Sequence, residues 1–288
     1  MPGGEREDVA VPAGLRDRVL SASRRARVAG SPIPQIPEIS PVEAFSRAAD
    51  AFHGLLCALG GEHWQLAVLR DLDMQGLVGH LIGVEEDVHR CLAGDLDVAG
   101  ADHVTSTQPA ALRQGGRPPV QTRSEWRGAT ERTLLEVHAF ADLGAEVAIW
   151  GIRLPLGALL VVRAFELWTH ENDIRRVTGL PASLPDAATL RLMTGLAVRL
   201  LPLGASRTGL SASIKVHMVL TGPGGGTWDV IVGEDGGSPE PVSVVTGAVG
   251  FCRLAANRIR PADLDVYVTG DPARATGVLT AAAALALD

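Results

Sequence analysis

The sequence predicts a mixed protein, α + α/β: an antiparallel four-helix bundle over residues 40–180 and then a small α+β domain over residues 181–288, both behind an arm or linker at residues 1–39. Three observations lead there. Four long segments between Ser40 and Gly179 repeat apolar residues every three or four positions and end at glycine or proline. Beyond Asp186 the pattern turns to short alternating segments rich in β-branched residues. A chain of 288 residues is long for one core and comfortable for two.

Residues 1–39 open with Gly, Pro and charge, hold a helix-like stretch from Ala13 to Val28, and run on through Ser31-Pro32-Ile33-Pro34 and Pro37, an extended composition. Ser40, Pro41 and Glu43 then supply an N-cap hydroxyl, a proline at the first helical position and the carboxylate of a capping box. They predict a helix to about Leu59, where Gly60-Gly61 stops it. A second helix begins near Asp71 or Asp73, buries Leu77, His80, Leu81, Val84 and Val88 on one face, and ends at Gly94. A long polar connection from Asp95 to Thr122, with Pro109, Pro118 and Pro119, leads to a third helix from Thr122–Ser124 to about Leu143. The fourth follows Pro155, runs from Leu156 to Val177 and is closed by Gly179 and Pro181. In the second part a helix from Asp186 to about Leu201 precedes strands at Ser211–Leu220, Thr227–Val232 and Pro241–Val245, the first two joined as a hairpin by the glycine-rich run 222–226. A helix Gly247–Asn257, a strand Leu264–Val268 and a terminal helix Pro272–Leu287 complete the order.

Composition narrows the function classes. A hydrophobic fraction of 46% with 4% aromatics describes a core packed with small aliphatic side chains. The formal charge of -7 and dispersed arginines offer no basic field for phosphate backbones, so nucleic acid is not an expected partner. Cys57, Cys91 and Cys252 are widely spaced and form no CxxC pair, which suggests a reducing cytoplasm. No signal peptide is read at the N-terminus, and the most apolar stretch, Leu154 to Trp168, is broken by Arg163 and Glu166, so no membrane span is expected.

The strongest chemical signal lies in the fourth helix, in Arg163-Ala-Phe-Glu166-Leu-Trp-Thr-His170-Glu-Asn-Asp173. Positions 163, 166, 170 and 173 share one helical face, and a polar stripe on an otherwise apolar helix needs partners, because an unpaired buried charge costs several kcal/mol. A divalent cation satisfies the stripe with few groups: Glu166 and His170, one turn apart, both reach one ion, and His80 on the apolar face of the second helix is the third ligand. Gly76 and Gly79 beside it permit close backbone approach. Three N and O ligands leave an open position, as in catalytic zinc sites. The spacing by itself also fits a satisfied core histidine and a chance Glu–His pair. Asp173 reads either as an outer partner of His170 or as a solvated carboxylate, and Arg163 as a partner of Glu166 that competes with the metal. His53, His63, His89, His103, His138 and His217 read as surface or packing residues, with His138 as a reserve ligand.

The segments Asp71-Leu-Asp-Met-Gln-Gly-Leu-Val-Gly-His80-Leu and Phe165-Glu166-Leu-Trp-Thr-His170-Glu-Asn-Asp173-Ile resemble the mycothiol-dependent maleylpyruvate isomerase family. The resemblance runs from about Ser40 to Gly179 and extends more loosely to Asn257-Arg258-Ile-Arg260-Pro261 and Leu264–Asp271. It implies a DinB-like metal-binding four-helix bundle, zinc held by His80, Glu166 and His170, and mycothiol as the thiol cofactor. On that basis a metal-bound thiolate adds to an electrophilic small molecule, with isomerisation or S-transfer as the outcome, and Arg258, with Arg260 second, binds a carboxylate of cofactor or substrate. The arm and the connection from Asp95 to Thr122 depart from the family's usual form. The alternative is a metal- or small-molecule-binding protein of the same fold without turnover, and a purely structural partner-binding bundle stands third.

Overall fold

Helix α1 (Pro41–Ala58) begins where the sequence predicts, with Ser40 Oγ accepting the Glu43 amide hydrogen at 3.1 Å and Pro41 at the first helical position. The Glu43 carboxylate does not close a capping box; it pairs with Arg47 one turn on. The computed structural model describes residues 35–140, 142–233 and 240–286, so the helical stretch expected at Ala13–Val28 and most of the arm at 1–39 lie outside the described residues.

A short hairpin, β1 (Ala67–Leu69) with β2 (Leu72–Asp73), turns the chain into α2 (Met74–Leu92), whose first turn Asp73 caps through the Gly76 amide at 2.7 Å. The polar connection expected from Asp95 to Thr122 is instead largely helical. A 3-10 turn (Asp97–Gly100) leads into α3 (His103–Arg113), capped by Asp102, which accepts from the Thr105 amide at 2.9 Å. Its periodicity is masked by Pro109 and by a face of Thr, Ser and Gln that bonds to neighbouring groups and not to solvent alone. Helix α3 lies close on α2 because Gly79 and Gly83 face it: a Cβ on Gly79 would stand 2.8 Å from Ala111 Cα, and one on Gly83 2.9 Å from Thr107 Cα.

Helix α4 (Pro119–Ala139) starts earlier than the spacing suggests, with Pro119 at its first position, and ends before Leu143. A second hairpin, β3 (Glu146–Ile149) with β4 (Ile152–Pro155), feeds α5 (Leu156–Val177). Helix α5 packs on α1, and α2 packs on α4. These helices bury Phe45, Phe52, Leu77, Leu81, Trp126 and Leu160 in one apolar cluster, where each Phe or Leu contributes about 1.5–3 kcal/mol of transfer free energy.

Beyond it come α6 (Ala187–Arg199), α7 (Leu201–Thr208), β5 (Ile214–Thr221), β6 (Gly226–Val232), β7 (Glu240–Gly247), α8 (Ala248–Ala255), β8 (Val266–Thr269) and α9 (Pro272–Ala283). The four strands form one sheet in the order β6-β5-β7-β8, with β5 antiparallel to β6 and parallel to β7, and β7 antiparallel to β8. Alternation sets its faces: Ile214, Val216, Met218 and Leu220 point into a second cluster with Phe251 and Val278, while Lys215 and His217 face out. Helix α5 serves both clusters, giving Leu159, Leu160 and Leu167 to the first and Val161, Ala164 and Trp168 to the second. No helix among the described residues is long and apolar enough to cross a membrane.

Candidate metal centre

The third face of α5 carries the polar stripe. Arg163, His170 and Asp173 are buried, at 0%, 3% and 4% exposure. Helix α2 brings His80 to the same place, and one donor atom each from His80, Glu166 and His170 lie within 4.8 Å of one another. His80 Nε2 stands 3.3 Å from Glu166 Oε1, and His170 Nε2 3.9 Å from it. His80 Nε2 and Glu166 Oε1 are both buried without a well-aligned hydrogen bond despite this proximity. Divalent zinc fits such a donor set: neighbouring donors around a tetrahedral ion stand about 3.4 Å apart when bonds are about 2.0–2.1 Å.

The other nitrogen of each imidazole is engaged. Thr107 on α3 spends its hydroxyl hydrogen on backbone carbonyls, His103 O at 2.9 Å among them, and its oxygen accepts from His80 Nδ1 at 2.7 Å. His170 Nδ1 donates to Asp173 Oδ2 at 3.1 Å. The Asp173 carboxylate can only accept, so His170 holds the tautomer that leaves Nε2 unprotonated, and Thr107 orients the His80 ring. Burial pushes His80 down to about 4, and the nearby Glu166 carboxylate offsets this only in part, so the ring is neutral at pH 7.

Arg163 resolves the competition raised by the sequence. Its guanidinium pairs with Glu166 Oε2 and, at 2.8 Å, with Oε1 of Glu85, a fully buried carboxylate whose Oε2 accepts from Thr133 at 2.6 Å. One oxygen of Glu166 is thus held by Arg163, and the other stands beside His80 and His170. Burial opposes ionisation of Glu166, but the charge of Arg163 and the neighbouring His103 and His80 outweigh it and keep the carboxyl well below the usual range. Asp173 is held low in the same way: burial works against it, and the bonds from His170 and Arg258 prevail.

Arg258 donates to Asp173 from Nε at 3.0 Å and from Nη2 at 2.8 Å, and from Nη1 to Ala256 O. It lines the cavity over the site together with Val162, Phe165, Leu196 and Leu200. Arg260 is not brought there: its side chain is 81% exposed and pairs with Asp263. His138, the reserve ligand, is exposed on α4 and bonds to Leu134 O. His103, read from the sequence as surface or packing, is a buried neighbour of the site. It is 5% exposed, its Nε2 lies 3.3 Å from Glu166 Oε1, and its ring stacks edge-on against Trp150. The signal was Asp102 before it, a capping residue that makes His103 and Thr107 neighbours on one helical face.

Residues 45–175 match the mycothiol maleylpyruvate isomerase N-terminal domain. No curated protein matches the chain. A crystal structure of the mycothiol-dependent maleylpyruvate isomerase is similar in fold, with a TM-score of 0.56 at 16% identity over 80% of this chain and 91% of that one. A histidine-to-alanine mutant of the mycothiol-dependent maleylpyruvate isomerase gives a TM-score of 0.54 at the same identity and coverage. The segment that matches this domain, residues 45–175, contains His80, Glu166 and His170.

Proposed function

We propose that the chain is a zinc-dependent, mycothiol-using enzyme that joins a thiolate to an electrophilic small molecule, with isomerisation or S-transfer as the outcome. His80, Glu166 and His170 hold one zinc ion per chain. In this reading α1, α2, α4 and α5 form a DinB-like antiparallel bundle over residues 40–180, and residues 181–288 form the α+β domain that walls the cavity. The observation that carries the reading is the pair of orphaned atoms, His80 Nε2 and Glu166 Oε1, close together beside the His170 ring.

When bound, zinc with two neutral imidazoles and one carboxylate keeps a net charge of about +1 and favours ionisation of an arriving thiol near neutral pH. The chain's own groups prepare this chemistry. Thr107 and Asp173 fix the two imidazoles, and Arg163 fixes the carboxylate. Val162, Phe165, Leu196 and Leu200 make the cavity wall apolar, so charge at its floor is little screened by water. Arg258 steadies Asp173 and stands at the cavity wall, where it meets an anionic group of the substrate.

Elemental analysis tests the metal. The purified protein is expected to carry one equivalent of zinc, and His170→Ala to lose most of it; equal zinc in both would refute the site. Calorimetry with mycothiol tests the thiol: binding to the zinc-loaded protein is expected to vanish in Glu166→Ala, and unchanged binding there would refute the reading.

A further inference from the structure

The metal centre borders a side chain that the three-ligand zinc site does not use. His103 Nε2 is 3.3 Å from Glu166 Oε1, the same separation as His80 Nε2 shows. Glu166 Oε1 has no well-aligned hydrogen-bond partner, although both imidazoles stand close enough to help hold its carboxyl ionised. The ring centroids of His80 and His103 are 5.1 Å apart at 85°, close to the 5.7 Å and 90° of His80 and His170. Imidazoles that share one tetrahedral ion stand with centroids about 5 Å apart, given bonds of about 2.0–2.1 Å. His103 therefore has the spacing of a ligand toward two members of the site, although it lies outside the group of three whose donor atoms are mutually within 4.8 Å.

The surroundings hold His103 in place with several independent contacts. Asp102 caps α3 one residue before it. Ser106 Oγ donates to Asp87 Oδ2 at 2.6 Å, and Trp150 Nε1 donates to the same oxygen at 2.9 Å. The Trp150 ring meets His103 at 4.5 Å between centroids and 75°. Trp150 adopts φ 50 at the tip of the β3–β4 hairpin, and its amide donates to Val98 O at 3.1 Å. A non-glycine residue held in that region costs of order 1 kcal/mol or more, and such strain concentrates where a side chain must be aimed.

One feature separates His103 from the two other histidines. Their Nδ1 atoms bond to Thr107 and Asp173, whereas His103 Nδ1 is buried with no partner among the described residues. The ring is thus placed by its backbone and by Trp150, but its own rotation breaks no hydrogen bond on that nitrogen. A donor of this kind closes the small remaining gap to an ion and is displaced more readily than a ring fixed at both nitrogens.

We propose that His103 is a fourth protein donor to the metal ion in the thiol-free protein, binding through Nε2. The proposal rests on the three-residue zinc site and adds α3, the helix inside the connection from Asp95 to Thr122, to the metal centre. It makes that connection a direct donor as well as the support that Thr107 gives His80.

The test is cadmium-to-nitrogen scalar coupling in the full chain, loaded with cadmium, free of thiol and labelled in its imidazoles. Three coupled histidines are expected, and His103→Ala should remove one of them. Two coupled histidines, His80 and His170, would overturn the proposal while leaving the three-residue site intact. Wild-type protein that binds neither cadmium nor zinc would instead overturn the site itself, and the proposal with it. Competition against a chelator supplies a second readout in variants that keep wild-type circular dichroism. His103→Ala is expected to keep a stoichiometric ion with affinity weakened about tenfold. An unchanged affinity would count against His103, and loss in His170→Ala alone would restrict the centre to three ligands.

Discussion

Arg163 shows how a single side chain fixes the site. It is fully buried, as is Glu85, and it pairs with Glu85 and Glu166 at once. Removing one member of a buried ion pair is far more damaging than replacing the whole pair, because the carboxylate left behind has neither water nor a counter-charge. Arg163→Met is therefore expected to destabilise the metal-free protein by about 3–5 kcal/mol in urea unfolding. Arg163→Met with Glu85→Gln should recover part of that loss, since one of the stranded charges is gone. Equal stability of Arg163→Met and wild type would mean that the two carboxylates find other partners. The same residue explains the oxygen of Glu166 that stays open: with Oε2 held by Arg163, Oε1 is the atom left toward His80.

At the scale of elements, the close contact of α2 and α3 decides how His80 is held, because Thr107 reaches it across that interface. Gly79→Ala would place a Cβ 2.8 Å from Ala111 Cα and 3.0 Å from Ala110 O, backbone atoms that cannot swing aside. It is expected to cost about 1–3 kcal/mol and to weaken zinc binding in chelator competition, as α3 shifts with Thr107 and His103. Gly128→Ala, at an exposed position of α4 with nothing near the added carbon, should instead stabilise by about 0.4–1 kcal/mol. A matching loss in both variants would point to helix propensity in place of the interface. The same elements show what the sequence made legible. Ser40, Asp73 and the apolar spacing marked α1, α2 and α5 and brought His80, Glu166 and His170 forward as a set. Helix α3 was hidden because its buried face carries Thr107 and His103, polar residues satisfied by tertiary partners that periodicity does not register. Arg260 failed for the converse reason: closeness in sequence to Arg258 says nothing about direction beyond a turn, and Arg260 pairs with its neighbour Asp263.

On the scale of the whole molecule, α5 ties the two apolar clusters together and carries the His80–Glu166–His170 cluster's two α5 members between them. Its residues Val161, Ala164 and Trp168 pack among those of α6, the sheet and α8, while Leu159, Leu160 and Leu167 pack among those of α1, α2 and α4. The cavity over the site is likewise shared, with Val162, Phe165 and His170 from α5, Leu196 from α6 and Ala255 from α8. Loosening either cluster therefore exposes apolar surface of the other, and residues 36–288 already form one compact unit. The expected result is a single unfolding transition in which Trp126 of the first cluster and Trp228 beside the second report the same midpoint. A ligand that binds only the native state adds RT ln(1 + [L]/Kd), about 2.7 kcal/mol at a hundredfold excess over Kd. For a chain of this length that raises the midpoint by about 4–5 °C. Because α5 is common to both clusters, zinc should move both tryptophan signals by the same amount, and a chelator should return both. Two transitions, with zinc raising only the one that contains Trp126, would show that the clusters unfold separately and that the shared helix does not couple them.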